Sequence, residues 1–291
     1  MATLAQLLVA GVAIGSVYAL VALGFVLIYR ATNVVNFAQG DFAMLGAYLL
    51  LFALTVLHLP YWVAIVATLV TMGGLGVLFE LGVYYPLRNR SFMPVIVSTI
   101  GASIVLENGV LAVFGPSPSV LPRLFGSASI QWRGIFVDGQ YLLVIIVTVV
   151  LVAVQYWFFE HTVLGKKMQA VSQDKETALL IGVPVAAVIA LTFAYSTILG
   201  ALAGVLVAPI LYVSQGLGTN IALKAFASSI IGGFGDVTGA IVGGLLVGLI
   251  ETFGGAYISL PYKDAFSLLL LILILIVRPQ GIFGERVEQK A

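Results

Sequence analysis

Residues 33–48 read NVVNFAQGDFAMLGAY, and they set Asn36, Gln39 and Asp41 inside a chain otherwise built for lipid. Residues 1–29 before them and 42–79 after them hold no Asp, Glu, Lys or Arg. A polar group at membrane depth is costly unless it faces protein or a water-filled path. The segment therefore starts a helix at the cytoplasmic surface or lines something polar, and the two are compatible. Asn36 and Asp41, ahead of an apolar run, also offer side-chain oxygens to the N–H groups of a helix start.

Composition agrees with that setting. Hydrophobic residues make up 61% of the 291 and charged residues 9%, against roughly 25% charged in a soluble domain. The 32 glycines suit a bundle in which small residues let membrane helices approach closely. Apolar runs repeat along the whole chain, which leaves no room for a separate soluble domain. The expected fold is all-α, a polytopic helix bundle forming one membrane domain over residues 1–291. A net charge of +1 offers no surface for nucleic acid, and the absence of cysteine excludes disulfides, thiolate catalysis and Cys-based metal sites. The first 29 residues lack a positive leading region, so they read as a retained first span and not a cleaved signal.

A span needs roughly 20 mostly apolar residues. Candidates are residues 4–28, 42–58, 61–84, 93–114, 140–159, 185–207, 237–257 and 264–278, about eight in all. Residues 223–235, KAFASSIIGGFGD, are too short and glycine-rich for an ordinary span and read as a half-helix or a re-entrant piece buried among its neighbours. Positive charge gathers at Arg30, at Arg88 and Arg90, at Lys166, Lys167 and Lys175, and at Arg278, Arg286 and Lys290. Placing all four clusters in the cytoplasm puts the N-terminus outside. It also puts the C-terminus inside, provided the half-helix crosses as a short extra segment. The outward loop 115–139, with GPSPSVLP, Arg123, Arg133 and Asp138, carries turn signals and room for a short hairpin.

Enzyme signatures are missing. His58 and His161 are the only histidines; there is no HExxH, no GxSxG and no phosphate-binding loop. Residues 160–184, EHTVLGKKMQAVSQDKETALLIGVP, are more informative. Ala170, Val171, Ala178, Leu179 and Leu180 can form the apolar face of one or two short helices, stopped by Gly182 and Pro184. Such a helix either docks in a groove of a soluble partner or lies on the lipid surface. Among ionisable residues in or near spans, Glu80 reads as interfacial. Glu107, beside Asn108, lies two-thirds along its span. Lys224 and Asp236 bracket the half-helix, and Glu251 is the deepest. Asn36, Gln39, Asp41, Glu107 and Glu251 are the candidates for a polar path, and Phe37, Phe42 and Tyr48 offer apolar linings beside it. Gly40-Asp41 and Gly235-Asp236, each ahead of an apolar run, form a short internal echo.

Four stretches together resemble a known family: residues 15–48, residues 164–183 (LGKKMQAVSQDKETALLIGV), residues 224–251 (KAFASSIIGGFGDVTGAIVGGLLVGLIE) and residues 262–284 (YKDAFSLLLLILILIVRPQGIFG). In order and spacing they are similar to the LivH-type permease subunits of ATP-binding-cassette importers for branched-chain amino acids. The resemblance implies a multi-pass permease of the bacterial inner membrane, paired with a second, LivM-like permease. It implies two cytoplasmic ATPase subunits that use ATP, a periplasmic substrate-binding protein, and no cofactor bound by this chain. It also places Gly165 and Asp174 at the glycine and acidic positions of the ATPase-coupling loop. That loop then spans Gly165 to Gly182 and includes Lys166, Lys167, Ala170, Val171, Ala178 and Leu179, with the Lys pair replacing a single basic residue. Relatives of this kind carry branched-chain or other amino acids, or urea and short amides. A standalone channel or secondary transporter is the competing class, and it would need ion-coupling groups of its own.

Overall fold

The computed structural model describes residues 2–123, 129–132 and 135–284. An apolar stretch without proline makes α1, Ala2–Thr32, whose only charge is Arg30 in the last turn. This helix is buried on nearly all sides and forms the axis of the bundle. Small residues select its main neighbour. Gly11 and Gly15, one turn apart, face Gly244 and Gly248 of α10 (Val237–Tyr257). A Cβ on Gly248 would lie 2.3 Å from the Gly15 Cα, so the two backbones touch and a side chain there would push the helices apart.

The other helices are α2 (Gln39–Thr55), α3 (Tyr61–Phe79), α4 (Phe92–Phe114), α5 (Gly139–His161), α6 (Val163–Gln173), α7 (Lys175–Leu180), α8 (Val185–Leu211), α9 (Leu217–Gly232) and α11 (Lys263–Val277). α3 runs on through a π-turn at Glu80–Tyr84 and a 3-10 turn at Tyr85–Leu87, where Pro86 ends regular bonding. The loop before α5 holds the expected hairpin: β1 (Ser129–Trp132) pairs antiparallel with β2 (Ile135–Asp138). Asp138 then caps α5 through the Gln140 N–H at 2.9 Å and pairs with Arg123 at 2.6 Å. The fold is all-α apart from this hairpin.

Six helices among the described residues are long and apolar enough to cross a membrane: α1, α3 with its extension, α4, α5, α8 and α10. α2, α9 and α11 are shorter, at 17, 16 and 15 residues. The chain is a multi-pass membrane protein.

Contacts fix which ends lie together. At one end Arg30 Nε donates to the Gly235 carbonyl at 2.5 Å. The chain beyond α11 returns to α9 there, with the Ile282 and Phe283 N–H groups on the Ile231 and Gly232 carbonyls at 2.9 and 2.8 Å. Gly233 turns at φ 114°, a conformation that only glycine adopts freely. At the opposite end Ser119 pairs with Val213, and the Tyr61 hydroxyl donates to the Pro122 carbonyl at 3.3 Å. Arg30, Arg88, Lys166 and Arg278 all belong to the first end, which the charge rule makes cytoplasmic. Arg133, Arg286 and Lys290 lie outside the described residues. The chain therefore passes from the outer end of α8 through residues 212–216 into the half-helix and on to the inner turn at Gly235, as a cytoplasmic C-terminus requires. It begins at Leu217, not near Lys224, so Lys224 sits inside α9 and does not bracket it. Glu80, expected at the interface, is buried in the π-turn.

Candidate functional site

α2 does not begin at the cytoplasmic surface. After α1 ends at Thr32, residues 33–38 run back into the bundle without regular structure. The Phe37 N–H donates to Thr99 Oγ1 of α4 at 3.2 Å, and Asn36 Oδ1 accepts the Ala38 N–H at 3.1 Å. Asn36 thus closes a local turn, while Asp41 caps nothing and lies within the first turn of α2. Gln39 packs against Gly24 of α1 and donates to the Ser196 carbonyl of α8, while Ser196 Oγ donates to the Gly24 carbonyl. Gly24 is eight residues from the inner end of α1, or about 12 Å at the rise of an α-helix. The start of α2 is therefore near mid-depth.

The start of α9 meets it there. A Cβ on Gly40 would lie 2.3 Å from the Gly218 carbonyl, and one on Gly218 would lie 2.9 Å from Asp41 Oδ1. α2 runs outward from this point and α9 inward, so two helix N-termini, each the positive end of a helix dipole, converge on Asp41. Opposite them, α4 carries Thr99, Ser103 and Glu107 at successive turns of one face. Thr99 bonds Phe37, Ser103 lies beside Asp41, and Glu107 accepts from Thr219 Oγ1, next to Gly218. Asp41 and Asn36 are almost fully buried, yet Asp41 Oδ2 and Asn36 Nδ2 have no partner among the described residues. Thr219 and Asn220 are exposed beside them. Such polar exposure inside a membrane bundle does not face lipid. Ser103, Gly218 and Thr219 were missed from the sequence, although a Thr-Asn pair opening an apolar helix was a readable signal.

Two of the expected path residues belong to packing. Gln39 is 0% exposed. It exchanges hydrogen bonds with Ser196, accepting from its Oγ at 2.9 Å and donating to its carbonyl at 3.3 Å. It ties α1, α2 and α8 together. Glu251 is also sealed: its carboxylate holds Lys224 Nζ at 2.7 Å and the Tyr18 hydroxyl at 2.8 Å, and Lys224 also reaches Asp264 at 2.7 Å. Phe42 and Tyr48 are buried in the core, and only Phe37 of the three expected linings is exposed. The Gly-Asp echo does not give equivalent positions, since Asp236 caps α10 through the Gly239 N–H and Asp41 lies inside its helix.

The 160–184 segment folds as two short helices on the inner end. Gly165 is buried, and a Cβ there would lie 2.3 Å from the Phe158 carbonyl, so glycine lets α6 turn tightly under α5. Thr162 Oγ1 accepts the Gly165 N–H at 3.0 Å. Asp174 caps α7, accepting from the Glu176 and Thr177 N–H groups and, at 2.7 Å, from the Thr177 hydroxyl. These bonds, the Thr177 hydroxyl first, hold its carboxyl below its ordinary range. The expected docking face is corrected. Val171 and Ala178 are buried, and with partly buried Ala170 they pack against the bundle itself. Leu179, Leu180 and Ile181 are the exposed apolar residues, at 64%, 86% and 71%. Lys166 pairs with Glu160 at 3.2 Å, and Gly182 ends α7 at φ 83°.

A helical membrane bundle with two helix starts meeting at mid-depth and an exposed helical pair at its inner end is the architecture of a transport permease. The chain belongs to the family of branched-chain amino acid transport system permease components, matched over residues 7–275. It is a permease subunit of an ATP-binding-cassette importer. It is 33% identical to the high-affinity branched-chain amino acid transport permease BraD of Pseudomonas aeruginosa, across 98% of this chain and 97% of that one. It is 32% identical to LivH of Escherichia coli K12, across 96% and 95% of the two chains. Among solved structures it is similar to PsaBC from Streptococcus pneumoniae in complex with Fab. That match has a TM-score of 0.52 at 12% identity and covers 95% of this chain and 92% of the other, a likeness of fold.

Proposed function

We propose that this permease imports a branched-chain or similar small aliphatic amino acid across the bacterial inner membrane by alternating access. It is not itself an enzyme and binds no cofactor. Its partners in this reading are a second, LivM-like permease, two cytoplasmic ATPases that supply the energy of ATP, and a periplasmic binding protein that delivers the substrate. The observation that carries the reading is the meeting of the α2 and α9 starts at buried, partly unpartnered Asp41. A zwitterionic amino acid has a carboxylate suited to two helix N-termini and an ammonium suited to Asp41 and Glu107. Phe37 is the exposed aromatic beside them. Energy enters through α6 and α7, whose exposed Leu179, Leu180 and Ile181 fit a groove of a soluble partner.

Reconstitution with candidate partners in liposomes tests this. Labelled leucine should accumulate only with the binding protein outside and ATP inside. Accumulation by this chain alone, without ATP, would make it a channel or secondary transporter.

A further inference from the structure

A cavity of about 460 Å³ lies at the inner end between α1, α5, α6 and α10. It is separate from the Asp41 site. α5 and α10 both pack on α1 but share no packed interface, so neither helix closes the gap between them. The outer side of α5 is widely exposed, as expected of a lipid-facing helix.

The walls change character with depth. Nearest the inner end are Arg30, Glu160 and Asp236. Arg30 uses Nε on the Gly235 carbonyl, and its terminal nitrogens have no partner among the described residues. Glu160 pairs with the Lys166 ammonium at 3.2 Å and Asp236 accepts the Gly239 N–H, and each keeps further acceptor capacity. Deeper is Gln155, six residues before the end of α5, about 9 Å along the helix. It is 3% exposed, and neither Nε2 nor Oε1 has a partner among the described residues. Native interiors rarely leave a buried amide in that state. Beyond it the wall is apolar, with Leu27, Val152 and Ile241.

From the surface inward, the order is a cation beside two carboxylates, then an amide, then hydrocarbon. A glycerophospholipid with a primary-ammonium headgroup has the matching order of phosphate and ammonium, ester carbonyl, and acyl chain. We propose that this cleft holds one such lipid of the inner leaflet. Its phosphate lies on Arg30, its ammonium on Glu160 and Asp236, and an ester carbonyl on Gln155 Nε2. An acyl chain covers Leu27, Val152 and Ile241. A free amino acid has similar charged ends but leaves Gln155 and the apolar depth unused.

The test is native mass spectrometry of the full chain, extracted from bilayers of equal phosphatidylethanolamine and phosphatidylglycerol. One phosphatidylethanolamine should be retained in preference to phosphatidylglycerol. Its retention should fall by about tenfold in Gln155→Leu, the upper worth of one hydrogen bond. Ile241→Trp, which fills the cleft from its other wall, should also release it. Retention indifferent to headgroup, retention unchanged in both variants, or displacement of the lipid by millimolar leucine would each overturn the proposal.

Discussion

Lys224 of α9 and Glu251 of α10 form an ion pair at 2.7 Å inside the bundle, with both side chains nearly sealed from solvent. The Tyr18 hydroxyl closes it from α1 and Asp264 from α11. Removing one partner strands the other charge, at a typical cost of about 3–5 kcal/mol. Glu251→Leu should therefore sharply lower the thermal midpoint of the detergent-solubilised chain. Adding Lys224→Met to that variant should recover at least half of the loss, because an apolar pair removes the stranded ammonium. A double variant no better than the single would show that Lys224 is satisfied by Asp264 alone.

Gln39 and Asp41 are two residues apart, and the proposed function gives them different work. Ser196→Ala leaves buried Gln39 Oε1 without its donor, which costs roughly 1–3 kcal/mol of stability. Uptake per folded molecule should be unchanged. Asp41→Asn should do the reverse, with stability near wild type and uptake strongly reduced. Thermal unfolding and liposome uptake on the same preparations separate the two. Wild-type uptake in Asp41→Asn would remove the mid-depth site.

The sequence showed the class of fold and the hairpin, because hydrophobic runs and turn signals are local properties, whereas the crossing by residues 208–236 rested on the count of charge clusters alone. It did not show the depth of residues 33–38. Whether Asn36 and Gln39 lie at a surface or inside depends on Gly24, which leaves space for the Gln39 amide: a Cβ there would lie 2.0 Å from its Nε2. That space is set by a helix elsewhere in the chain. The docking face was misread for a similar reason. Ala170, Val171 and Ala178 form an apolar stripe that fits a partner or the chain's own bundle equally well, and only tertiary packing decides which.

Asp174 carries a pH dependence. Its carboxyl is held below the ordinary range by the cap it makes on α7. A depressed folded value means that the cap is fully present above the unfolded value, about 4. It is lost as pH falls through the lower folded value. Protection of the Glu176 and Thr177 amides, relative to their intrinsic exchange rates at each pH, should be high at pH 7 and should fall once the pH drops below the ordinary carboxylate range. Asp174→Ala should show low protection at both. Equal protection in wild type and Asp174→Ala at pH 7 would show that the cap does not hold α7.

The crossing by α9 can be read chemically, since the chain has no cysteine of its own. Ser117→Cys should react with an impermeant maleimide only from outside, and Gln280→Cys only from the cytoplasm. If both label from the same side, α9 dips and returns, and the inner end assigned here is wrong.

In the proposed function, energy from a partner ATPase enters at the inner end, and Leu180 is the most exposed apolar residue there, at 86%. A carboxylate buried unpaired at such a contact typically costs several kcal/mol. Leu180→Asp should leave the permease folded and inserted, because the side chain touches little of its own bundle. The direct measurement is leucine-stimulated ATP hydrolysis and leucine uptake by the complete reconstituted complex carrying this variant. The expected result is loss of both, with the permease at wild-type abundance in the membrane. Wild-type hydrolysis and uptake in Leu180→Asp and in Ile181→Asp would contradict coupling through α7.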